Sequence, residues 1–211
     1  ATGPSAHACA DWLTSVRVVS HDCAHFVSKT PLPNRRTWPV EVRTRRLILR
    51  PPTEDDYDAV REGKLGRSTP INRYDAGPVT TSRRDFKSML ASFRQWAKKR
   101  EGYVLFAFHR RTGAYLGHVD ISTIGRERCN WANLGYAINN QHHRRGYATE
   151  AVRAALRVAF AQLHFHRVEA ACAPDNRPSL ALARKVGMVR EGVRRAFWLE
   201  DEGGWSDRVI Y

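Results

Sequence analysis

Seven consecutive residues, His143-Arg144-Arg145-Gly146-Tyr147-Ala148-Thr149, set two arginines before a glycine and then open an amphipathic run. Glycine lets backbone approach a ligand closely. The first N–H groups of a helix have no partner within it and lie at its positive pole, so a helix starting here suits a phosphate or pyrophosphate. Arg144 and Arg145 add cationic side chains at the same point. Alone, the segment argues only for an anion at a helix start. Glu150 follows it, and an acid in a first helical turn is expected to act as an electrostatic cap. Metal chemistry is not expected. Cys9, Cys23, Cys129 and Cys172 lack zinc-ligand spacing, and the neighbours His142 and His143 cannot share a helix face.

The elements that must position these groups become readable from about residue 43. Arg46–Arg50 is a short apolar strand stopped by Pro51-Pro52, and Thr53 with Asp56 resembles a capping box opening a helix to about Glu62. A longer helix starts near Thr81 or Ser82, with Phe86, Met89, Leu90, Phe93 and Ala97 on one stripe, and Gly102 ends it. Trp96 falls at helical spacing and reads as core. Tyr103–Phe108 and Tyr115–Ile124 read as a hairpin and Trp131–Ile138 as a fourth strand, leading into a helix from Gly146 to about Leu163. Arg167–Ala173 is a fifth strand, in which Val168, Ala170 and Cys172 alternate with Arg167, Glu169 and Ala171. Asn176 caps a helix with Pro178 in its early turn and Gly187 at its end. Val189–Leu199 and Trp205–Tyr211 close the chain as two strands. Residues 1–42 carry no sustained pattern and leave through a Pro-rich stretch, so they read as an N-terminal extension, an arm or a targeting segment.

Composition narrows the partners. The 211 residues include 35 Lys and Arg against 21 Asp and Glu, a formal charge of +14, so some surface carries positive potential. A polyanionic ligand, an acidic partner, RNA or a ribosome would each use that field, as would a basic proteome background with no partner at all. No run approaches the roughly 20 apolar residues that span a bilayer, and the N-terminus lacks a secretory pattern. A cytoplasmic protein with reduced thiols and no membrane contact is expected, as monomer or homodimer.

Six segments, RLILRPPTEDD, LGYAIN, RRGYATEA, HRVEA, DNRPSLALARKVGM and EGVRRAFWLEDEGGWSDRVIY, together resemble the GNAT superfamily of acetyl-CoA-dependent N-acetyltransferases. Within it they resemble the RimJ/RimL branch of ribosomal-protein N-terminal acetyltransferases. The resemblance covers residues 43–211 as one domain. It implies an α+β (mixed α/β) fold, a central twisted mixed sheet of about six to seven strands flanked by about four helices. Acetyl-CoA would lie in a splay between the fourth and fifth strands. Backbone groups of Tyr136 and Ile138 would run beside the pantetheine, and His143, Arg144, Arg145, Gly146, Tyr147, Ala148 and Thr149 would take the pyrophosphate. His143 departs from the usual Gln or Arg. Asn176 would help hold the cofactor arm, and Ser179 would give a proton to the leaving thiolate. Arg73 and Tyr74 fall where acceptor-binding residues lie.

An amine must be neutral to attack a thioester, so a base or a water chain must take its proton. Relatives often place a Glu just before the fourth-strand Gly-Tyr; here that residue is Asn133. Glu169 is the leading replacement, with Asp120 and His118 on the third strand behind it. The oxyanion would be received by a backbone N–H near Ile138. The first expectation for function is acetylation of a protein N-terminal α-amine, of ribosomal-protein type. A small-molecule amine (polyamine, amino sugar or antibiotic) is the second, and a non-enzymatic acetyl-CoA- or RNA-binding module the third.

Overall fold

A computed structural model describes residues 41–70, 73–74, 82–126, 129–200 and 203–211. The expected extension, 1–42, lies outside this set but for Glu41 and Val42.

Alternation sets the first strands. Leu47 and Leu49 are buried between half-buried neighbours in β2 (Leu47–Arg50), which pairs antiparallel with β1 (Val42–Arg43) on one side and β3 (Gly102–His109) on the other. After Pro51-Pro52 the Thr53–Asp56 capping box forms, but it opens a 3₁₀ turn, Glu54–Asp56, before α1 (Tyr57–Leu65). Arg50 fixes that turn through two hydrogen bonds to Asp56, of 2.5 and 2.8 Å. In α2 (Arg83–Lys98) Ser82 caps the helix by accepting from Asp85 N–H. Its stripe of Phe86, Met89, Leu90, Phe93 and Ala97 is buried as spaced. Trp96 is partly buried over Gly102, where a Cβ would stand 2.8 Å from the indole. With Tyr57, Val60, Val104, Phe106, Phe108 and Tyr115, the Phe86, Met89, Leu90 and Phe93 of that stripe make the core on one face of the sheet.

β4 (Tyr115–Gly125) pairs antiparallel with β3 and with β5 (Trp131–Ile138), and β6 (Arg167–Glu169) joins β5 in parallel. The sheet is thus six-stranded and mixed, in order β1-β2-β3-β4-β5-β6. Its other face is covered by α3 (Tyr147–Arg157), whose Ala151, Val152, Ala154 and Ala155 are nearly inaccessible. These small side chains let the helix lie close on Leu49, Leu105, Val119, Ile121 and Leu134. The expected helix to Leu163 does not stay α-helical. Residues Val158–Gln162 widen into a π turn, closed by Leu163 N–H on Val158 O at 3.0 Å.

The expected fifth strand, 167–173, is two strands. β6 stops at Glu169, Ala170 exchanges backbone hydrogen bonds with Tyr211, and β7 (Ala171–Cys172) pairs with β9 (Trp205–Ile210). With β8 (Gly192–Leu199) these make a second, three-stranded sheet in order β7-β9-β8. α4 (Arg177–Lys185) sits between β7 and β8 in the chain. The fold is α+β, with a large mixed sheet and four α-helices among the described residues. None of those helices is long and apolar enough to cross a membrane.

Candidate active site

The last rung joining β5 to β6 is Asn133 opposite Glu169. Beyond it β7 turns away to β9, so among the described residues Leu134–Ile138 have no strand partner on that side. Asn139 N–H bonds to Leu116 O on the β4 side. Strand alternation therefore turns backbone groups of Ile138 and Tyr136 toward the open splay. His143 bears this out: its ring lies 2.7 Å from Ile138 O, and since a carbonyl only accepts, Nε2 carries the proton. The ring closes the loop by tying it back to the end of β5.

The loop ends in a strained turn. Arg144 has φ 56° and Gly146, the N-cap of α3, has φ 77°. At Gly146 any other residue would hold a left-handed backbone and place its Cβ 3.4 Å from the Arg46 guanidinium. The first helical closure is Glu150 N–H on Gly146 O, at 3.2 Å. The N–H groups of Tyr147, Ala148 and Thr149 thus precede any intrahelical bond, with Arg144 and Arg145 exposed beside them. These groups fit a pyrophosphate, and the open edge of β5 fits an amide-bearing arm.

Glu150 does more than cap. It accepts from Thr44 Oγ1 at 2.6 Å, Arg46 N–H at 2.8 Å and Arg46 Nε at 2.7 Å. Arg46 also donates to Arg145 O at 2.9 Å and covers the Tyr147 ring at 4.5 Å. Burial would raise the Glu150 carboxyl, but the bonds from Thr44 and Arg46 hold it below its ordinary range. Glu150 therefore fastens the helix start to the β1–β2 turn.

Across the splay, Asn176 Oδ1 accepts from Ser179 N–H at 3.2 Å and so caps α4. Ser179 Oγ lies 2.7 Å from the Tyr136 hydroxyl and donates to Cys172 Sγ at 3.3 Å. The Tyr136 hydroxyl also donates to Ser179 O at 3.3 Å, so Tyr136, Ser179 and Cys172 form one hydrogen-bonded chain. Burial raises both the Tyr136 phenol and the Cys172 thiol, so both keep their protons. Of Tyr136 only backbone groups were expected at the site; its side chain and Cys172 carried no separable sequence signal. Arg73 and Tyr74 reach the same place. The Tyr74 hydroxyl bonds to the Asp175 carboxylate, Arg73 donates to that hydroxyl at 2.7 Å, and Arg73 pairs with Asp175 at 3.2 Å. The structure thus brings Asn176, Ser179, Tyr136, Arg73 and Tyr74 to one end of α4.

Glu169 is placed otherwise than expected of a base. It is 2% exposed, and both carboxylate oxygens accept from Arg194, at 2.8 and 3.1 Å, with Arg167 at 3.7 Å. Oxygens that already hold a guanidinium fork offer little to an incoming amine proton. Glu169 ties β8 to β6 at the apex of the splay. The two third-strand alternatives, His118 and Asp120, both lie on β4, half-buried on the face away from α3.

Comparison with known proteins fits this geometry. The family described as Acetyltransferase (GNAT) domain matches residues 46–189. A solved Vibrio cholerae structure, named for an inferred ribosomal-protein-serine acetyltransferase activity, is 29% identical. It superposes with a TM-score of 0.67 over 83% of this chain and 98% of that one. Mycobacterium smegmatis RimJ in complex with CoA-disulfide shares the fold, with TM-score 0.69 at 24% identity over 82% of this chain and 86% of that one. The Escherichia coli [ribosomal protein uS5]-alanine N-acetyltransferase is 26% identical over 125 residues, 59% of this chain and 64% of that enzyme. The chain thus spans a little under two thirds of that curated relative.

Proposed function

We propose that this chain, which belongs to the GNAT acetyltransferase family, transfers the acetyl group of acetyl-CoA to the N-terminal α-amine of a protein, of ribosomal type. The observation that carries the acceptor class is the Vibrio cholerae match, which runs through 98% of a chain named for ribosomal-protein acetylation. Charge supports it. At +14, with Arg73 beside the splay, the protein is a poor host for a polycationic acceptor and a good neighbour for a ribonucleoprotein.

The residues divide the work by position. The N–H groups of Tyr147, Ala148 and Thr149, with Arg144 and Arg145, hold the pyrophosphate. The open edge of β5 at Tyr136 and Ile138 aligns the arm, and Asn176 shapes its far wall. The acceptor ammonium loses one proton to a base and thence to water. Its lone pair forms the C–N bond as the C–S bond breaks and the electron pair leaves with sulfur. The sulfur takes a proton from Ser179, which is refilled from water through Tyr136, while nitrogen sheds its second proton through the base to water. The sum is R–NH₃⁺ plus thioester giving amide, free thiol and one H⁺. Arg73 and Tyr74, braced on Asp175, border the acceptor's approach.

The test is thiol release from acetyl-CoA with peptides that differ only in their first residue, beside spermidine and amino sugars. Peptides starting with Ala or Ser are expected to exceed the small amines by at least about tenfold in kcat/KM. Release with small amines alone would contradict the α-amine assignment.

A further inference from the structure

The proposed transfer needs a proton acceptor, Glu169 is occupied by Arg194, and position 133 is an amide. The face of β4 and β5 turned away from α3 supplies a different group. Val119, Ile121 and Leu134 point into the α3 core, so His118, Asp120 and Ser122 point the other way, opposite Ala137, Gly135 and Asn133. Ala137 is exposed and Gly135 has no side chain, so β5 leaves room on this face opposite Asp120. Asp120 uses the gap. A Cβ at Gly135 would lie 2.5 Å from Asp120 Oδ1 and 2.7 Å from Oδ2, so the carboxylate occupies the place of a residue-135 side chain. It has leaned across the β4–β5 spacing of about 4.8 Å and stands over the strand whose far edge lines the splay.

We infer that Asp120 is the general base of the acetyl transfer, taking the acceptor's proton directly or through one water; this rests on the N-acetyltransferase reading above. Three further observations agree. The Ser122 hydroxyl is buried on the same face and lies near enough to Asp120 for hydrogen bonding to favour its charged form. Burial nonetheless raises the Asp120 carboxyl to about 6, which leaves it charged at neutral pH and basic enough to accept a proton. His118 is the poorer base: burial, then the charge of Lys64 on α1, lowers it to about 3. Lys64, itself lowered to about 8 by burial and Arg67, is the cation that α1 brings to this face. Val104 on β3 and Gly135 on β5, opposite Asp120, are apolar. Asp120 first takes a proton from the ammonium and passes it to water; after C–N bond formation it takes the second and passes that on too, while sulfur is protonated from Ser179, which water refills through Tyr136.

The experiment compares wild type, Asp120→Asn and Glu169→Gln in peptide-dependent thiol release from pH 5 to 9, with calorimetric Kd for CoA. Wild-type kcat is expected to rise tenfold per pH unit below about 6 and then level. Asp120→Asn should lose about 100-fold in kcat at pH 7 and lose that limb, with Kd within about twofold. Glu169→Gln should keep the limb. A Gly135→Ala variant, which pushes a methyl group into the carboxylate, should lower kcat without changing Kd. Asp120→Asn with more than half of wild-type kcat and an intact limb would overturn the assignment and leave the acetyltransferase reading standing. So would an NMR titration placing the Asp120 carboxyl near the ordinary ~4. No thiol release from wild type with any amine would bring down the acetyltransferase reading itself, and this inference with it.

Discussion

Two acids flank β5, one against each of its neighbouring strands, and their surroundings make them different chemical objects. At the apex of the splay, Glu169 is sealed from water and gripped by Arg194, with Arg167 behind. On the face of β4 turned from α3, Asp120 lies over a glycine with a buried serine beside it and, among the described residues, no guanidinium paired with it. The apex uses charge to join two sheets. The β4 face leaves the Asp120 carboxylate without an ion pair, where burial costs stability and gains basicity. The lesson is that a carboxylate's distance from a reaction site says less than which cations have already claimed its oxygens.

The largest effect is expected from removing the Glu169 partner. Arg194→Ala leaves a buried carboxylate with only the more distant Arg167, and should cost about 3 kcal/mol of folding stability, seen as a lower denaturation midpoint. Unchanged stability would mean that Glu169 is not held as described. Next, the two acid-to-amide changes should move stability in opposite directions. A carboxyl raised in the folded state from its ordinary 3.8 to about 6 favours folding below 3.8, and that advantage is lost as pH rises through about 6. Asp120→Asn should therefore stabilise the protein at pH 7 by about 1–2 kcal/mol after relaxation, with the gain vanishing by pH 4, whereas Glu169→Gln should destabilise it. Denaturant titrations at the two pH values check both signs. Across the splay, Ser179→Ala should lower kcat about tenfold and leave the Asp120-governed limb near pH 6 in place, which separates acid from base. Smallest, Tyr136→Phe should lower kcat about threefold, because Ser179 keeps its own proton and loses only its resupply.

Where one residue type answers one local demand, the chain could be read directly. The left-handed turn before α3 demands Gly146, the α2 stripe repeats every three to four residues, and Asn176 caps α4 as its spacing implied. Non-local contacts were not readable. The apolar alternation Val168, Ala170, Cys172 continues straight through the break between β6 and β7, which is set by Ala170 pairing with Tyr211. Glu169 looked available because Arg194 lies 25 residues away in sequence. Asp120 ranked below it because only the β4–β5 register reveals that its opposite number is Gly135. His143, a departure from the family pattern, proves to brace the loop through Ile138 O. The π turn after α3 had no marker, since Val158–Gln162 carries neither Pro nor Gly.

The most direct measurement is mass-spectrometric mapping of the product formed from acetyl-CoA and a peptide with a free N-terminal Ala or Ser and an internal Lys. One acetyl group is expected, on the α-amine, formed by wild type and nearly absent with Asp120→Asn at pH 7. Acetylation of the lysine side chain alone, or an unmodified peptide alongside active transfer to small amines, would contradict it.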